Sequence, residues 1–150
     1  MDEKIRIKIQ TLLDQHRIMT IATVRPDGWP QATTVGYVNE GLDIYFLCGP
    51  DSQKAANIAG DDRVSLTIDD DTPDIMAIAG LSMAARAKRV ADTTEVERLL
   101  HLLFTRYPEQ KNLPGPMPTA KDVAVFRIVP KVISVLDYSK GFGHTDLVTC

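Results

Sequence analysis

The chain has 150 residues, of which 44% are hydrophobic and 25% charged, and it carries a formal net charge of −3. This length predicts one domain, residues 1–150, with a substantial hydrophobic core, and the composition is ordinary for a globular protein. The small negative charge argues against general electrostatic binding to nucleic acid. No apolar run approaches the roughly 18 residues that a membrane span needs, so we expect no membrane partner.

The cysteines and histidines restrict location and chemistry further. Cys48 lies in an apolar run and Cys150 ends the chain, so the pair does not form a disulfide framework. The first 16 residues lack the apolar core of a signal peptide. We therefore expect a reducing, cytoplasmic environment. The three histidines are scattered without ligand spacing, which predicts no metal site.

The predicted secondary structure is mainly β. Helical periodicity predicts a helix at 3–16, a short helix after Gly49-Pro50, and a third from a capping box at Thr94–Glu97 to about Arg106. Four prolines between residues 107 and 122 predict a loop, and the tail from about residue 138 has no periodicity. Apolar runs predict six strands, at residues 18–24, 31–38, 42–48, 63–69, 75–90 and 123–136.

The order of these elements predicts the fold class. Strands joined by tight turns pair antiparallel, and the lack of regular alternation with helices disfavours a doubly wound parallel sheet. Pro130 interrupts the last strand, which suits an edge or a bulge. We therefore expect an α+β fold, mainly β with peripheral helices, in the form of a small antiparallel barrel or sandwich.

The short helix after the third strand raises a question about Lys54. Asp51 or Ser52 can cap this helix, which places Lys54 in its first turn. The helix dipole disfavours a cation at this position. Either the lysine is simply solvated, or an anion binds at the helix start and the lysine helps to hold it.

Two segments of the chain carry a resemblance to a known family. "TIATVRPDGWPQATTVGYV" and "IYFLCGPDSQKAANIAGDDRVSLTI" are similar to the pyridoxamine 5′-phosphate oxidase-like superfamily of flavin-binding split β-barrels, from about residue 6 to residue 137. The most specific parts are the Asp-Gly-x-Pro turn and the Ser-x-Lys-x-x-Asn run. The chain resembles the small general-stress-protein-like members. The resemblance implies a Greek-key FMN-binding split barrel and a homodimer with flavin mononucleotide (FMN) at the subunit interface.

The resemblance also implies binding roles for individual residues. Ser52 and Lys54 match the positions that bind the flavin phosphate, and Gln53 stands where some relatives have arginine. Arg63 is a further candidate for the same phosphate. Residues of the second and third strands match positions that contact the flavin ring: Thr33, Thr34, Val35, Gly36, Leu47 and Cys48.

Several other basic and aromatic residues could contact the cofactor or could simply lie on a solvated surface. Arg25 and Trp29 flank the first turn, where Trp29 is expected either to pack on the surface or to line the flavin cleft or the dimer seam. Arg86 and Lys88 share one strand face, with Arg89 on the other.

The tail is expected to fold over the partner subunit's flavin through Tyr138, Lys140 and Phe142, with His144 nearby. It lacks the Trp and Arg pair of the vitamin B6 oxidase, which argues against oxidation of pyridoxamine phosphate.

The resulting functional hypothesis is an FMN-dependent oxidoreductase. It would transfer a hydride or electrons through flavin N5 to an unidentified small molecule. One alternative is a deazaflavin-dependent reductase of the same fold, in which Arg86 and Lys88 would meet a longer acidic cofactor tail. Another is a non-enzymatic flavin or haem binder with a stress role. No acid–base pair in the sequence identifies a catalytic residue.

Overall fold

The computed structural model describes residues 1–110 and 114–150. The described residues form three α-helices: α1 (Glu3–Gln15), α2 (Gln53–Gly60) and α3 (Thr93–Thr105). They form seven strands: β1 (Ile18–Val24), β2 (Pro30–Glu40), β3 (Asp43–Cys48), β4 (Arg63–Asp69), β5 (Ala79–Arg89), β6 (Ala124–Asp137) and β7 (Thr145–Thr149). Part of the predicted loop at 107–122, residues 111–113, lies outside the described residues.

The strands form one antiparallel sheet that closes into a barrel. The strand order is β3-β2-β1-β4-β5-β6-β7, and an additional pairing of β3 with β6 closes the circle. Because β1, β2 and β3 are joined in sequence and β4 returns beside β1, the connection is a Greek key. The prediction of a mainly β, antiparallel barrel with peripheral helices is confirmed.

Two apolar clusters hold the helices on this barrel. The barrel interior is filled by alternate strand residues such as Ile21 and Phe46, and α1 adds Ile9 and Leu13 to the same cluster. The second cluster lies on the outer side of β2 and β3, where α3 packs against Tyr45. The outer faces of β1, β2 and β4 away from α3 carry exposed threonines: Thr20, Thr34 and Thr67.

Two predicted boundaries are corrected by local capping. Residues Ile75–Ala77 form a 3₁₀ turn instead of strand, because the Asp74 carboxylate accepts a hydrogen bond from the Met76 N–H at 2.9 Å. The predicted capping box of α3 is wrong, because Asp92 is the N-cap and accepts from the Thr94 N–H at 3.0 Å. Polar side chains that precede an element thus set where it begins.

The tail is ordered, contrary to the absence of periodicity in its sequence. Asp137 caps a 3₁₀ turn at Tyr138–Lys140, and β7 then pairs with β6. In β7 Val148 is 7% exposed whereas Leu147 is 68% exposed. The strand was not predicted because the adjacent residues Leu147 and Val148 lie on opposite faces, so the sequence shows no alternation of apolar and polar residues.

Pro130 lies at a bulge, which was one of the two alternatives predicted for it, the other being an edge strand. The register between β5 and β6 shifts between Ala84 and Ala85, opposite Pro130. On its other side β6 pairs with β3 up to Ile128 and with β7 from Val132. The proline therefore occupies the gap between two ladders, where its missing N–H interrupts neither of them.

No helix of the described residues is long and apolar enough to cross a bilayer.

Candidate functional site

The N-terminal end of α2 forms the first part of the candidate site. The chain leaves β3 at Cys48, turns at Gly49-Pro50, and the Ser52 N–H donates to the Gly49 carbonyl at 3.1 Å. The Ser52 hydroxyl oxygen then accepts from the Ala55 N–H at 3.2 Å, so Ser52 is the N-cap. Within the described residues, no hydrogen-bond acceptor is found for the N–H groups of Gln53 and Lys54. Such free N–H groups at a helix start attract an anion.

Lys54 adds a cation to this helix end. Its side chain is half-buried, and no carboxylate in the described part of the chain lies within ion-pair distance of it. The lack of an ion pair does not by itself distinguish Lys54, whose position beside the helix start does; four other described lysines have none either: Lys4, Lys88, Lys121 and Lys131. A lysine beside a helix start, without a neutralising carboxylate, is suited to binding a phosphate group.

Gln53 points along the helix and away from its start. Its Nε2 donates to Asn57 Oδ1 at 2.8 Å. Asn57 is 1% exposed, and its Nδ2 donates to Thr23 Oγ1 at 3.0 Å and to Gln31 Oε1 at 3.1 Å. The side chain of the predicted phosphate residue Gln53 is therefore exposed and is directed towards the buried Asn57, one turn further along α2, instead of towards the helix start.

The four predicted ring-contact residues of β2 do not share one face. Thr33 and Val35 pair with Ile21 and Met19 of β1, which are both buried in the barrel. Their neighbours Thr34 and Gly36 therefore face outward, because strand side chains alternate. Thr33 Oγ1 is buried and has no hydrogen-bond partner among the described residues. A planar ligand could contact the side chains of one pair only.

Gly36 has a close neighbour within the chain itself. A Cβ atom at this position would lie 2.7 Å from the Tyr107 hydroxyl oxygen. The Tyr107 hydroxyl donates to the Arg17 carbonyl at 3.3 Å, and the Arg17 guanidinium lies 5.0 Å from the centre of the Tyr107 ring. The close approach expected of a flavin at Gly36 is thus made by Tyr107. Sequence reasoning missed Tyr107 because it opens a proline-rich loop of irregular pattern.

Leu47 and Cys48 lie on opposite sides of β3. Cys48 packs in the barrel interior with Ala55 and Ile58 of α2. Leu47 packs with the α3 cluster on the outer side. The two predicted ring contacts are therefore separated by the strand, and only Cys48 adjoins the start of α2.

The remaining basic candidates lie elsewhere or are paired. Arg63 donates to Asp61 at 2.6 Å, which holds the pKa of the Asp61 carboxyl down at about 2. This pair lies beyond the C-terminal end of α2, about 12 Å from its start, so the contacts of Arg63 in this chain do not support the expectation that it reaches the same phosphate. Arg86 pairs with Asp62. Lys88 shares its exposed strand face, as predicted.

The tail residues lie at the opposite end of the barrel from α2. The first residue of β6, Ala124, pairs with Cys48, whereas the last, Asp137, caps the tail turn. The 14 residues of β6 separate the two ends by about 40 Å of strand. Tyr138 and Phe142 make an edge-on ring contact at 5.5 Å. Within one chain, the tail therefore does not reach the helix start.

Two further predicted regions are the β1–β2 turn and the tail, and the structure adds ion pairs in each. Trp29 at the β1–β2 turn is 72% exposed, and Arg25 pairs with Asp27 at 3.4 Å. In the tail, Lys140 and His144 both face Asp146 Oδ2, at 3.7 and 3.2 Å. Among the described residues no group of three or more His, Cys, Asp and Glu side chains could hold a metal ion.

The fold is similar to that of solved proteins from several bacteria. A conserved hypothetical protein from Mycobacterium tuberculosis shares 26% identity with a TM-score of 0.77, covering 97% of this chain and 91% of that one. A heme binding protein from Mycobacterium smegmatis shares 20% identity with a TM-score of 0.79, covering 99% of this chain and 59% of that one. A Clostridium acetobutylicum protein related to general stress protein 26, of the pyridoxinephosphate oxidase family, shares 16% identity with a TM-score of 0.72, covering 99% and 96%.

The sequence itself matches one protein family. No curated protein sequence gives a significant match. The family model described as pyridoxamine 5′-phosphate oxidase matches residues 5–137, most of the chain, and the match ends at the residue where β6 ends. This chain therefore belongs to the pyridoxamine 5′-phosphate oxidase family.

Proposed function

We propose that this protein binds FMN and acts as an oxidoreductase on a small molecule. The observation that carries the proposal is the start of α2, where Lys54 has no carboxylate partner in the described residues and the Gln53 and Lys54 N–H groups are free of acceptors. Both features favour a ligand that ends in a phosphate. Membership of the pyridoxamine 5′-phosphate oxidase family supports a flavin as the rest of that ligand.

The chain's own residues would hold and orient this cofactor. Lys54 and the first-turn N–H groups would bind the phosphate, and the Ser52 hydroxyl, whose oxygen already accepts from Ala55, retains its proton to donate. The ring would lie along the outer face of β2, where Thr34 is exposed, because the inner face with Thr33 belongs to the filled barrel interior. A bound flavin supplies hydride or electron transfer through its N5 atom. The protein contributes orientation and hydrogen bonds to the ring.

We further propose a homodimer formed through the uncovered sheet face. Neighbouring strands align a row of hydroxyl side chains across this face: Thr34, Thr20, Thr67, Ser82 and Ser134. Small side chains allow two sheets to approach closely, and a stable interface buries about 1,600 Å² in total. Light scattering at micromolar concentration should give twice the chain mass, and a flavin-bound monomer would contradict the proposal.

The structure gives less support to the other cofactors. A deazaflavin with a longer acidic tail would use Arg86 and Lys88, but Arg86 is already paired with Asp62. Haem, which the Mycobacterium smegmatis neighbour binds by its description, needs an axial ligand. His16 Nδ1 lies 2.7 Å from the Leu12 carbonyl oxygen, which leaves Nε2 to serve as such a ligand, but His16 is not part of the helix start on which the proposal rests. A cytoplasmic location stays a prediction.

Replacement of the helix-start cation tests the cofactor assignment. Lys54→Ala should remove a charge-assisted contact worth about 1.5–3 kcal/mol, which weakens FMN binding about ten- to a hundredfold. Riboflavin has no phosphate, so its affinity should change little. Lys88→Ala, an exposed lysine of β5, is the matched control and should leave both affinities unchanged. Equal losses for FMN and riboflavin in Lys54→Ala would place the phosphate elsewhere.

A further inference from the structure

One buried side chain joins the three elements around the proposed cofactor site. Asn57 on α2 is 1% exposed, and its amide donates to Thr23 of β1 and to Gln31 of β2. Its carbonyl oxygen accepts from Gln53 in the first turn of the same helix. Thr23 is also buried, at 2% exposure. The network therefore links the start of α2 to the strand proposed to carry the flavin ring.

Burial alone does not explain an amide at this position. Ala55 and Ile58 already pack α2 against the barrel core. An apolar residue at position 57 would add to that packing without the desolvation cost of a buried amide. Hydrogen bonds differ from apolar contacts because they are directional, so they fix how far the helix is rotated and shifted against the strands.

We propose that Asn57 is a positioning residue that sets the spacing between the phosphate site at the start of α2 and the ring site on β2. This inference rests on the function proposed above. A ligand that occupies both sites gains affinity because the second contact becomes intramolecular once the first is made, and that gain requires the correct spacing. Asn57 therefore favours FMN, whose ring and phosphate are joined by a ribityl chain of limited reach, over either part alone.

The test removes the network from the strand side. Asn57→Ala would leave the buried Thr23 hydroxyl and the amides of Gln31 and Gln53 without this partner and would open a cavity under α2, so the principal variant is Thr23→Val. This substitution is close in shape and removes the hydroxyl oxygen that accepts from Asn57 Nδ2. Thr23→Ser restores the hydroxyl. Ile58→Val, a buried truncation on the same helix, is the control for loss of stability.

Three probes separate positioning from other roles. FMN, riboflavin and inorganic phosphate are titrated into each folded variant, with flavin fluorescence and the amide NMR signals of Gln53 and Lys54 as readouts. We expect Thr23→Val to weaken FMN about tenfold while riboflavin and phosphate, bound separately, change less than about twofold. Thr23→Ser should return FMN affinity to the wild-type value, and Ile58→Val should leave the three affinities in their wild-type ratio.

Each other outcome has a defined meaning. If Thr23→Val lowers thermal stability but keeps the wild-type ratio of affinities, Asn57 is only structural and the inference fails. If phosphate binding alone falls tenfold, the network shapes the anion site itself and the spacing argument fails. If the wild-type protein binds phosphate but neither FMN nor riboflavin, the proposed function itself fails. That result needs no variant, so it is distinguishable from failure of the positioning inference.

Discussion

The contact between Gly36 and Tyr107 gives the sharpest prediction, because two different atoms could require a glycine there. In the described structure the obstacle to a side chain is the Tyr107 hydroxyl oxygen, 2.7 Å from the position of an added Cβ. The next ring atom, Cζ, lies at 3.6 Å, which is an ordinary contact distance. If FMN binds as proposed, the flavin ring would be a second reason for the glycine.

The magnitude follows from these two distances. The Tyr107 hydroxyl ends a half-buried side chain that can move aside, so overpacking by Gly36→Ala should cost only about 1 kcal/mol. Alanine is the better strand residue by about 0.5 kcal/mol, so the net loss in free energy of unfolding should be about 0.5 kcal/mol. Tyr107→Phe removes the obstructing oxygen, and its 3.3 Å hydrogen bond to the Arg17 carbonyl is long. In that background Gly36→Ala should be neutral or slightly stabilising.

A double-mutant cycle measured by denaturant unfolding tests this reasoning. The coupling energy between the two substitutions should be about 1 kcal/mol. An equal loss from Gly36→Ala in both backgrounds would refute the role of Tyr107. Flavin titration of the double variant then addresses the ring: if the ring approaches β2 at Gly36, FMN affinity stays low although stability is restored.

Two further predictions concern the tail end of the barrel. Lys8 and Ser139 donate to Asp137 and lower the pKa of its carboxyl to about 2, so Asp137→Asn should cost about 1.5–3 kcal/mol near neutral pH. Because the folded-state pKa is lowered, this difference from wild type should persist above about pH 4 and vanish as the pH falls to about 2, as followed by denaturant unfolding at each pH. Deletion of residues 138–150 should lower the melting temperature, because burial of Val148 alone is worth about 1.5–3 kcal/mol; an unchanged melting curve would show that β7 adds no stability.

The elements with strong local patterns were predictable from the sequence. Period-two alternation and turn residues placed β1 to β4 within one or two residues, and Ser52 was one of two proposed caps for α2. The same alternation also implies that Thr33 and Thr34 face opposite ways, so the two side chains cannot serve one ring site together. The alternation of apolar and polar residues was thus enough to locate the strands, whereas strand pairing showed which side chains face the barrel interior.

The features that depend on distant parts of the chain were not predictable in this way. Tyr107 meets Gly36 across 71 positions of sequence, and Asn57 meets Thr23 across 34. The motif Ser-x-Lys-x-x-Asn did contain Asn57, but only the fold shows that its amide points into the barrel. β7 needed β6 as a partner before its five residues could be recognised as a strand.

The distribution of the candidate residues restricts how a tail could serve a flavin. The start of α2 and the tail lie at opposite ends of β6, so the tail of one chain does not reach a phosphate bound at the start of that chain's own α2. A two-fold axis perpendicular to the strands, on the hydroxyl-lined outer face, would bring the tail end of one protomer towards the α2 end of its partner. An axis parallel to the strands would keep the two ends apart. A tail that covers the phosphate end of the partner's flavin is therefore compatible with the proposed dimer only in the first arrangement, in which Phe142, 74% exposed in the single chain, would gain a covering surface.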